Sequence, residues 1–267
     1  MDLLLAGKRA LVTGGSRGIG KAVALALAQE GVQVAILARN EDRLRDAARD
    51  IGARTGGTVI TVRADTTRSD EVHSAFQQAA QALGGTIDIL VNAAAEPAGL
   101  GPPPTVEKIE ADYFHRELDT KVMGYVRCAQ QVIEGMKAQG WGRIINISGL
   151  AARQTGNPVG SIRNVALSAL SKNMADELGP FGIQVTVVHP GQTRTERVAD
   201  MIAHRAAAQG IPAETVRAQM AARNSIRHLI EPSEVADVIA FLCSPRARAI
   251  NGDAIAVGGG APGSIYY

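Results

Sequence analysis

The sequence has few cysteines, few aromatic residues and almost no net charge. Only two of its 267 residues are cysteines and 3% are aromatic, while 28 basic residues nearly balance 26 acidic ones. Two cysteines form neither a disulfide framework nor a metal knuckle. Cys128 and Cys243 lie in apolar helical patterns, so we predict core thiols of a reducing compartment and no metal site. The balanced charge and the scarce aromatic residues argue against a nucleic-acid partner.

Long hydrophobic runs are also missing. No apolar stretch approaches the roughly 18 residues of a membrane-spanning helix. The first residues carry an acid, Asp2, where a signal peptide has its positive charge, and the apolar run Leu3–Ala6 that follows is shorter than the roughly 7–15 residues such a peptide needs. We therefore expect a cytoplasmic protein with a small-molecule substrate and no membrane contact.

Short strand-like runs alternate with longer helical patterns along the chain. The predicted strands are Arg9–Thr13, Val32–Ala38, Thr58–Arg63, Ile87–Val91, Arg143–Ile147, Gln184–Val188 and Ala254–Val257. One long helical pattern, with room for a single break, covers Val106–Gln139. No linker or repeat divides the chain, so residues 1–267 are predicted to form one α/β domain. The alternation predicts a doubly wound fold, with a parallel seven-stranded sheet and helices on both faces.

A glycine-rich loop, Thr13–Gly20, follows the first strand and opens the first predicted helix. In that context Gly14 permits a tight turn, Gly18 lets the backbone approach a pyrophosphate, and Gly20 lets the helix pack on the sheet. The free N–H groups at the helix N-terminus then face the phosphates. The loop therefore predicts a dinucleotide site.

The spacing G-x-x-x-G-x-G, with Thr13 before the first glycine, resembles the short-chain dehydrogenase/reductase superfamily. Asp65, Asn92–Ala95, Asn146–Ser148 and Pro190-Gly191 follow in the family's order, so the resemblance covers nearly the whole chain. It implies a Rossmann-type sheet, a nicotinamide cofactor and carbonyl/alcohol redox chemistry. The cofactor-binding residues that we predict are Gly14, Ser16, Arg17, Gly18, Ile19, Gly20, Arg39, Asn40, Asp65, Thr66, Asn92, Ala93, Ala94, Asn164, Pro190, Gly191, Thr193 and Thr195.

The end of the second strand indicates which nicotinamide cofactor is preferred. An NAD site has a carboxylate there to bind the ribose 2′-hydroxyl, but Val32–Asn40 contains no acid. Arg39 follows the strand and Arg17 lies in the glycine loop, so two guanidinium groups are available for a 2′-phosphate. We predict NADP(H) in preference to NAD(H); the alternative is that both arginines are ordinary solvated side chains.

The usual catalytic residues of the family are missing. When the family's Y-S-A-S-K stretch is aligned without gaps, Gly160 falls at the tyrosine and Asn164 at the lysine. Lys121 replaces the asparagine of the long helix. The family often has two serines after Asn-Ile. Here only the first, Ser148, is present, and Gly149 stands at the second position. The resemblance therefore implies a divergent member without the Tyr-x-x-x-Lys motif.

The candidate catalytic residues are Ser148, Lys121 and Asn164. Lys121 faces the nicotinamide if its helix keeps the family position, and it would then lower the pKa of Tyr125 one turn away. Alternatively, Lys121 pairs with Glu117, and Tyr125 belongs to an interface or to the core. Three functions remain open: an NADP(H)-dependent oxidoreductase with an atypical active site, a catalytically inactive NADP(H)-binding regulatory or partner protein, and a non-redox lyase or isomerase.

Two further expectations concern the substrate lid and the assembly. The polar segment 192–226 resembles the family's mobile substrate lid, and Thr193 and Thr195 resemble its threonines that meet the carboxamide. The family usually forms dimers or tetramers through two long helices, here about Val106–Gln139 and Ser161–Leu178. We therefore expect a homo-oligomer, most simply a homotetramer. A stripe on the second of these helices packs either on a symmetry mate or on the sheet; it comprises Ala166, Leu167, Leu170 and Met174. The apolar end, Ile265–Tyr267, is expected to dock.

Overall fold

A computed structural model describes residues 1–96 and 103–262, in which seven strands form one parallel sheet. The strands are β1 (Arg9–Thr13), β2 (Gln33–Ala38), β3 (Ile60–Arg63), β4 (Ile89–Asn92), β5 (Gly142–Ile147), β6 (Ile183–Pro190) and β7 (Ala254–Val257). Their order is β3-β2-β1-β4-β5-β6-β7, and every neighbouring pair is parallel. The predicted doubly wound α/β fold is confirmed. The predicted docking of Ile265–Tyr267 lies outside the described residues.

Helices connect the strands and cover both faces of the sheet. They are α1 (Gly18–Gln29), α2 (Glu41–Thr55), α3 (Ser69–Ala82), α4 (Ala111–Leu118), α5 (Gly124–Gln130), α6 (Ile133–Gln139), α7 (Pro158–Leu178), α8 (Glu196–Gln209), α9 (Ala213–Ala221) and α10 (Pro232–Cys243). In the described ranges, no helix combines the length and the apolar composition that crossing a membrane requires.

The long helical pattern before β5 is interrupted more often than its sequence predicts. A five-residue π turn, Asp119–Met123, joins α4 to α5, and α6 starts afresh at Ile133. Each extra residue in a turn rotates the following side chains by about 100° around the helix axis. The turn buries Thr120 and Lys121 in the wall of the cleft described below. The prediction of at most one break is therefore wrong.

Two hydrophobic clusters, one on each face, hold the sheet. Helices α1, α2 and α10 contribute Val23, Leu44 and Ile239 to one cluster, and all three side chains are fully buried. Helices α3 and α5 contribute Phe76 and Cys128 to the other. A parallel sheet that is covered on both faces needs apolar residues at nearly every strand position, which accounts for the unbroken apolar runs in β1, β2 and β4.

The order of the strands places a crevice at the carboxyl edge of the sheet. Connections from β1 run toward β2 and β3, whereas those from β4 run toward β5, β6 and β7. Ligands of open α/β sheets bind at such a switch point, outside the carboxyl ends of the strands. Helices α8 and α9 form a small apolar cluster of their own, which includes Ile202 and Met220.

Candidate functional site

A cleft of about 540 Å³ lies at the switch point between β1 and β4. Its walls come from the loops that follow β1, β2, β3, β4, β5 and β6. Nearly every predicted site residue lines it: Gly14, Ser16, Arg17, Gly18, Ile19, Gly20, Arg39, Asn40, Asp65, Thr66, Ala93, Ala94, Lys121, Ser148, Asn164, Pro190, Gly191, Thr193 and Thr195. Asn92 and Gly160 are not among the lining residues. The roles assigned to these side chains remain predictions.

The backbone of the glycine loop packs so closely that Gly14 and Gly20 have no room for a side chain. A Cβ at Gly14 would lie 2.8 Å from the carbonyl carbon of Ala93, and the backbone there has a φ of +65°. A Cβ at Gly20 would lie 2.4 Å from the carbonyl oxygen of Gly14. Glycine is thus required for the turn and for the close approach of α1 to the sheet. The loop fits the backbone cradle of a dinucleotide.

The first amide of α1 already binds an anionic group. The N–H of Gly18 donates a hydrogen bond of 3.1 Å to Oε2 of Glu196, the first residue of α8. No acidic residue lies in the first turn of α1 itself. Because a helix N-terminus attracts negative charge, this contact is what a phosphate would make at the same place. Sequence reasoning missed Glu196, which is 178 residues away along the chain.

Arg39, at the end of β2, is held by two carboxylates. Its Nη1 lies 2.9 Å from Oε1 of Glu96 and 3.9 Å from Oδ2 of Asp65. The other oxygen of Asp65 accepts hydrogen bonds from the backbone N–H and the hydroxyl of Thr67, at 3.0 and 2.9 Å. Sequence reasoning sought an acid only along β2 and missed Glu96, which follows β4. The guanidinium fits a 2′-phosphate, but the carboxylates compete for it.

Asn92 lies behind the cleft wall rather than in it. Its Nδ2 donates to Oδ1 of Asn146 at 3.0 Å, and the Nδ2 of Asn146 donates to the hydroxyl of Ser171 at 2.9 Å. All three side chains are fully buried. The chain of hydrogen bonds ties β4 and β5 to α7, so the observed contacts of Asn92 position the wall of the cleft.

Lys121 and Ser148 meet at the opposite end of the cleft from Arg39. The buried Nζ of Lys121 donates to the carbonyl oxygen of Ser148 at 2.9 Å. The hydroxyl of Ser148 donates to the carbonyl oxygen of Asn164 at 3.1 Å. The Nδ2 of Asn164 donates to the carbonyl oxygen of Gly149 at 3.4 Å, while its buried Oδ1 has no partner among the described residues. The structure thus brings the three candidate catalytic residues together.

Glu117 binds Arg163 instead of Lys121. Its carboxylate forms an ion pair with the guanidinium of Arg163, which links α4 to α7 at the edge of the cleft. The side chain of Arg163 is 17% exposed and lines the cleft, and its Nε is buried without a partner among the described residues. The alternative in which Glu117 pairs with Lys121 is therefore wrong. Sequence reasoning missed Arg163, which lies 46 residues from Glu117 along the chain.

Burial shifts the proton affinity of the two titratable groups on this stretch of helix in opposite directions. It holds the pKa of Lys121 well below its ordinary value; Arg163 adds to this effect and Glu117 opposes it. Burial also raises the pKa of Tyr125, whose hydroxyl donates to the carbonyl oxygen of Ile147 at 3.1 Å. The expectation that a neighbouring cation lowers the pKa of Tyr125 is therefore wrong, because desolvation outweighs it.

His189 supports the backbone below Ser148. Its Nδ1 accepts a hydrogen bond of 3.4 Å from the N–H of Gly149, and its Nε2 lies 3.3 Å from the hydroxyl of Ser168. Burial, together with Arg153 and Lys121, lowers its pKa to about 4. The imidazole is thus neutral at physiological pH and can accept the Gly149 hydrogen bond. These contacts are those of a packing and positioning residue.

Gly160 forms part of the capped start of α7. Its N–H donates to Oδ1 of Asn157 at 2.9 Å, and a Cβ at this position would lie 2.5 Å from the Nδ2 of Asn157. The cap therefore occupies the space that a side chain at position 160 would need. No phenol is present at this point.

Comparison with known proteins identifies relatives along almost the whole chain. A family model described as enoyl-(acyl carrier protein) reductase matches residues 14–262. Cis-4-hydroxycyclohexanecarboxylate dehydrogenase of Sinomonas cyclohexanicum is 34% identical, over 94% of this chain and 95% of the relative. The structure of L-sorbose reductase from Gluconobacter frateurii, complexed with NADPH and L-sorbose, has a TM-score of 0.92 at 30% identity and covers 99% of this chain and 100% of that one. A solved short-chain dehydrogenase/reductase family protein has a TM-score of 0.79 at 34% identity, over 97% of this chain and 98% of its own.

Proposed function

The chain belongs to the short-chain dehydrogenase/reductase family of oxidoreductases, and from that premise we propose that it interconverts a carbonyl compound and its alcohol with NADP(H) as cofactor. The observation that carries the proposal is a single cleft with a glycine cradle and Arg39 at one end and the buried amine of Lys121 at the other. The relatives support this class of reaction. One is named as the dehydrogenase of a hydroxy acid, and another was solved with NADPH and a sugar.

The residues that would hold the cofactor follow from the two ends of the cleft. The backbone of the glycine loop would bind the pyrophosphate, and Arg17 and Arg39 would bind the 2′-phosphate. Thr193, Thr195 and Asn164 also line the cleft and would meet the nicotinamide. We expect NADPH to bind about tenfold or more tightly than NADH, because each charge-assisted contact contributes roughly 1.5–3 kcal/mol.

A bound nicotinamide supplies or accepts the hydride, and the chain has to move the accompanying proton at the substrate oxygen. Lys121 is the best-placed group, since it is buried in the cleft wall and its lowered pKa brings the amine toward the range in which it both donates and accepts a proton. In reduction the ammonium gives a proton to the oxygen of the developing alcohol; in oxidation the neutral amine removes it. Ser148 and Asn164 hold the amine and the adjacent backbone in place.

The test is to replace Lys121 and follow binding and turnover separately. Lys121→Met keeps the length of the side chain and removes the amine. We expect the kcat of carbonyl reduction to fall by roughly 10²–10⁴-fold, with the Kd for NADPH within about twofold of the unaltered protein. Lys172→Met is the matched control, because Lys172 is exposed on α7 and pairs with Asp176 outside the cleft. Turnover that survives Lys121→Met would disprove the assigned proton transfer.

A second candidate, an NADP(H)-binding protein without turnover, is favoured by two observations. Lys121 and Ser148 both direct their donors to backbone carbonyl oxygens, as structural groups do, and residue 160 is glycine. This candidate predicts NADPH binding with the fold intact and no reaction across a broad panel of ketones, aldehydes and alcohols. The same titration and activity measurements therefore separate the two proposals.

A further inference from the structure

Two glutamates bind the protein groups that would otherwise bind the phosphates of the cofactor. Glu96 forms an ion pair with Arg39, and Glu196 accepts a hydrogen bond from the N–H of Gly18. One contact lies at the end of β2 and the other at the start of α1. We propose that these carboxylates are internal competitors of the cofactor, so that Glu96 sets the preference between NADP(H) and NAD(H), and Glu196 sets the affinity for both. This inference rests on the function proposed above.

Glu96 acts at the place that distinguishes the two cofactors. Its side chain is 21% exposed and that of Arg39 is 52% exposed, so the pair sits at the rim of the cleft and can open. A 2′-phosphate needs the same guanidinium edge, and the carboxylate of Glu96 also repels it. NADH has no 2′-phosphate and does not need that edge. The negative charge of Glu96 therefore weakens NADP(H) binding selectively.

Glu196 acts at a place that the two cofactors share. The amide of Gly18 would face the pyrophosphate, which NADP(H) and NAD(H) have in common. Glu196 is exposed and begins α8, the first helix of the segment 192–226. A bound pyrophosphate must replace its carboxylate, and the start of α8 is then released from the glycine loop. Cofactor binding is thereby coupled to the position of the segment that we predict to be the lid.

The experiment compares Glu96→Gln and Glu196→Gln by calorimetric titration with three probes: NADPH, NADH and 2′-AMP. Each variant loses one negative charge and keeps the size of the side chain. Exposed pairs of this kind contribute little, so we expect changes in Kd of roughly two- to fivefold. Glu96→Gln should tighten NADPH and 2′-AMP and leave NADH unchanged. Glu196→Gln should tighten NADPH and NADH equally and leave 2′-AMP unchanged.

Glu134→Gln is the control for a general change of charge. Glu134 is exposed on α6, 3.6 Å from Lys137, and this variant has the same net charge as the other two. Equal tightening in all three variants would overturn the proposal in favour of a long-range charge effect. Unchanged or weaker NADPH binding in Glu96→Gln and Glu196→Gln, with the unaltered protein binding NADPH, would also overturn it. If the unaltered protein binds neither nicotinamide cofactor, the proposed function fails first.

Discussion

Lys121 is a costly residue in this fold. Its side chain is buried, and its amine has one hydrogen bond among the described residues, to a carbonyl oxygen. Glu117, one turn away, binds Arg163 instead. Desolvation of an ammonium group opposes folding unless a counter-charge compensates for it. A residue that destabilises the fold and faces the cleft is typically retained because it has a function.

This cost gives a prediction for stability. Lys121→Met should raise the free energy of unfolding by about 1–3 kcal/mol at neutral pH, because a buried charge is replaced by an apolar chain of similar length. The pKa of Lys121 is lower in the folded state than its ordinary value of 10.5, so the unfolded chain binds the proton more tightly. The folded protein therefore gains stability as the pH rises toward 10.5, and it loses stability as the pH falls.

The difference between the two proteins should accordingly shrink from pH 7 to pH 10. Urea denaturation followed by circular dichroism at pH 7, 8, 9 and 10 measures it, and Lys172→Met again serves as the control. A Lys121→Met protein that is less stable than the unaltered one would mean that the amine contributes more through its hydrogen bond than it loses through burial.

At the residue scale, sequence reasoning found the local signals and missed the distant partners. The glycines of the loop and Arg39 are recognisable because their neighbours in sequence define their context. Glu96 lies 57 residues from Arg39 along the chain, and Glu196 lies 178 residues from Gly18. A single charged residue has no sequence pattern from which such a distant contact could be predicted. Their positions depend on how β4 and α8 are placed in three dimensions.

At the scale of elements, the start of α7 explains why position 160 is glycine. Asn157 caps the helix through the N–H of Gly160, Pro158 occupies the first turn, and the amide of Asn157 fills the space beside Gly160. Pro at the first helical position and Asn at the cap are typical of a helix start. The helix therefore starts at Pro158, three residues before the predicted start at Ser161.

Removal of the Asn157 cap should lower the stability of the protein measurably. Asn157→Ala should lower the free energy of unfolding by about 1 kcal/mol, since the N–H of Gly160 loses its acceptor. Asn173→Ala is the matched control, because Asn173 is exposed in the same helix and its Nδ2 only reaches back to the carbonyl of Ala169. That substitution should be neutral or slightly stabilising, as alanine is the better helix former. Chemical denaturation of the two variants compares them; equal losses would show that the cap contributes nothing specific.

The strands were predictable because short apolar runs mark them in the sequence, whereas the π turn was not predictable. All seven predicted strands are present, with ends displaced by two residues at most. A parallel sheet covered on both faces leaves unbroken apolar runs that are visible in sequence. The residues of the turn, Asp119–Met123, have an ordinary helical pattern. The turn contacts α7 and, through Lys121, Ser148 after β5, and the local sequence does not encode these contacts.

At the scale of the whole molecule, α7 presents apolar side chains in two directions. Leu167 is fully buried against Val187 and Tyr125, so this part of the predicted stripe packs on the sheet. Ile162 and Val165 point the other way, and each is 49% exposed. Two large aliphatic residues one turn apart on an exposed helix face are typical of an interface between subunits.

We predict that the protein is a homo-oligomer, with tetramer the expected form, and that this face of α7 lies in an interface. Light scattering after gel filtration at micromolar concentration should give a multiple of the 27.9 kDa chain mass. Ile162→Glu combined with Val165→Glu should reduce that multiple, because two charges cannot be buried in an apolar contact without large desolvation costs.

Val106→Glu is the matched control, since Val106 is 74% exposed and lies in a separate short turn before α4. It should leave the mass unchanged. The double variant must keep the circular dichroism spectrum of the unaltered protein, because both side chains point away from the core and their replacement leaves the sheet packing intact. A monomer of 27.9 kDa for the unaltered protein would disprove the assembly. If the folded double variant keeps the mass of the unaltered oligomer, the interface lies on another surface.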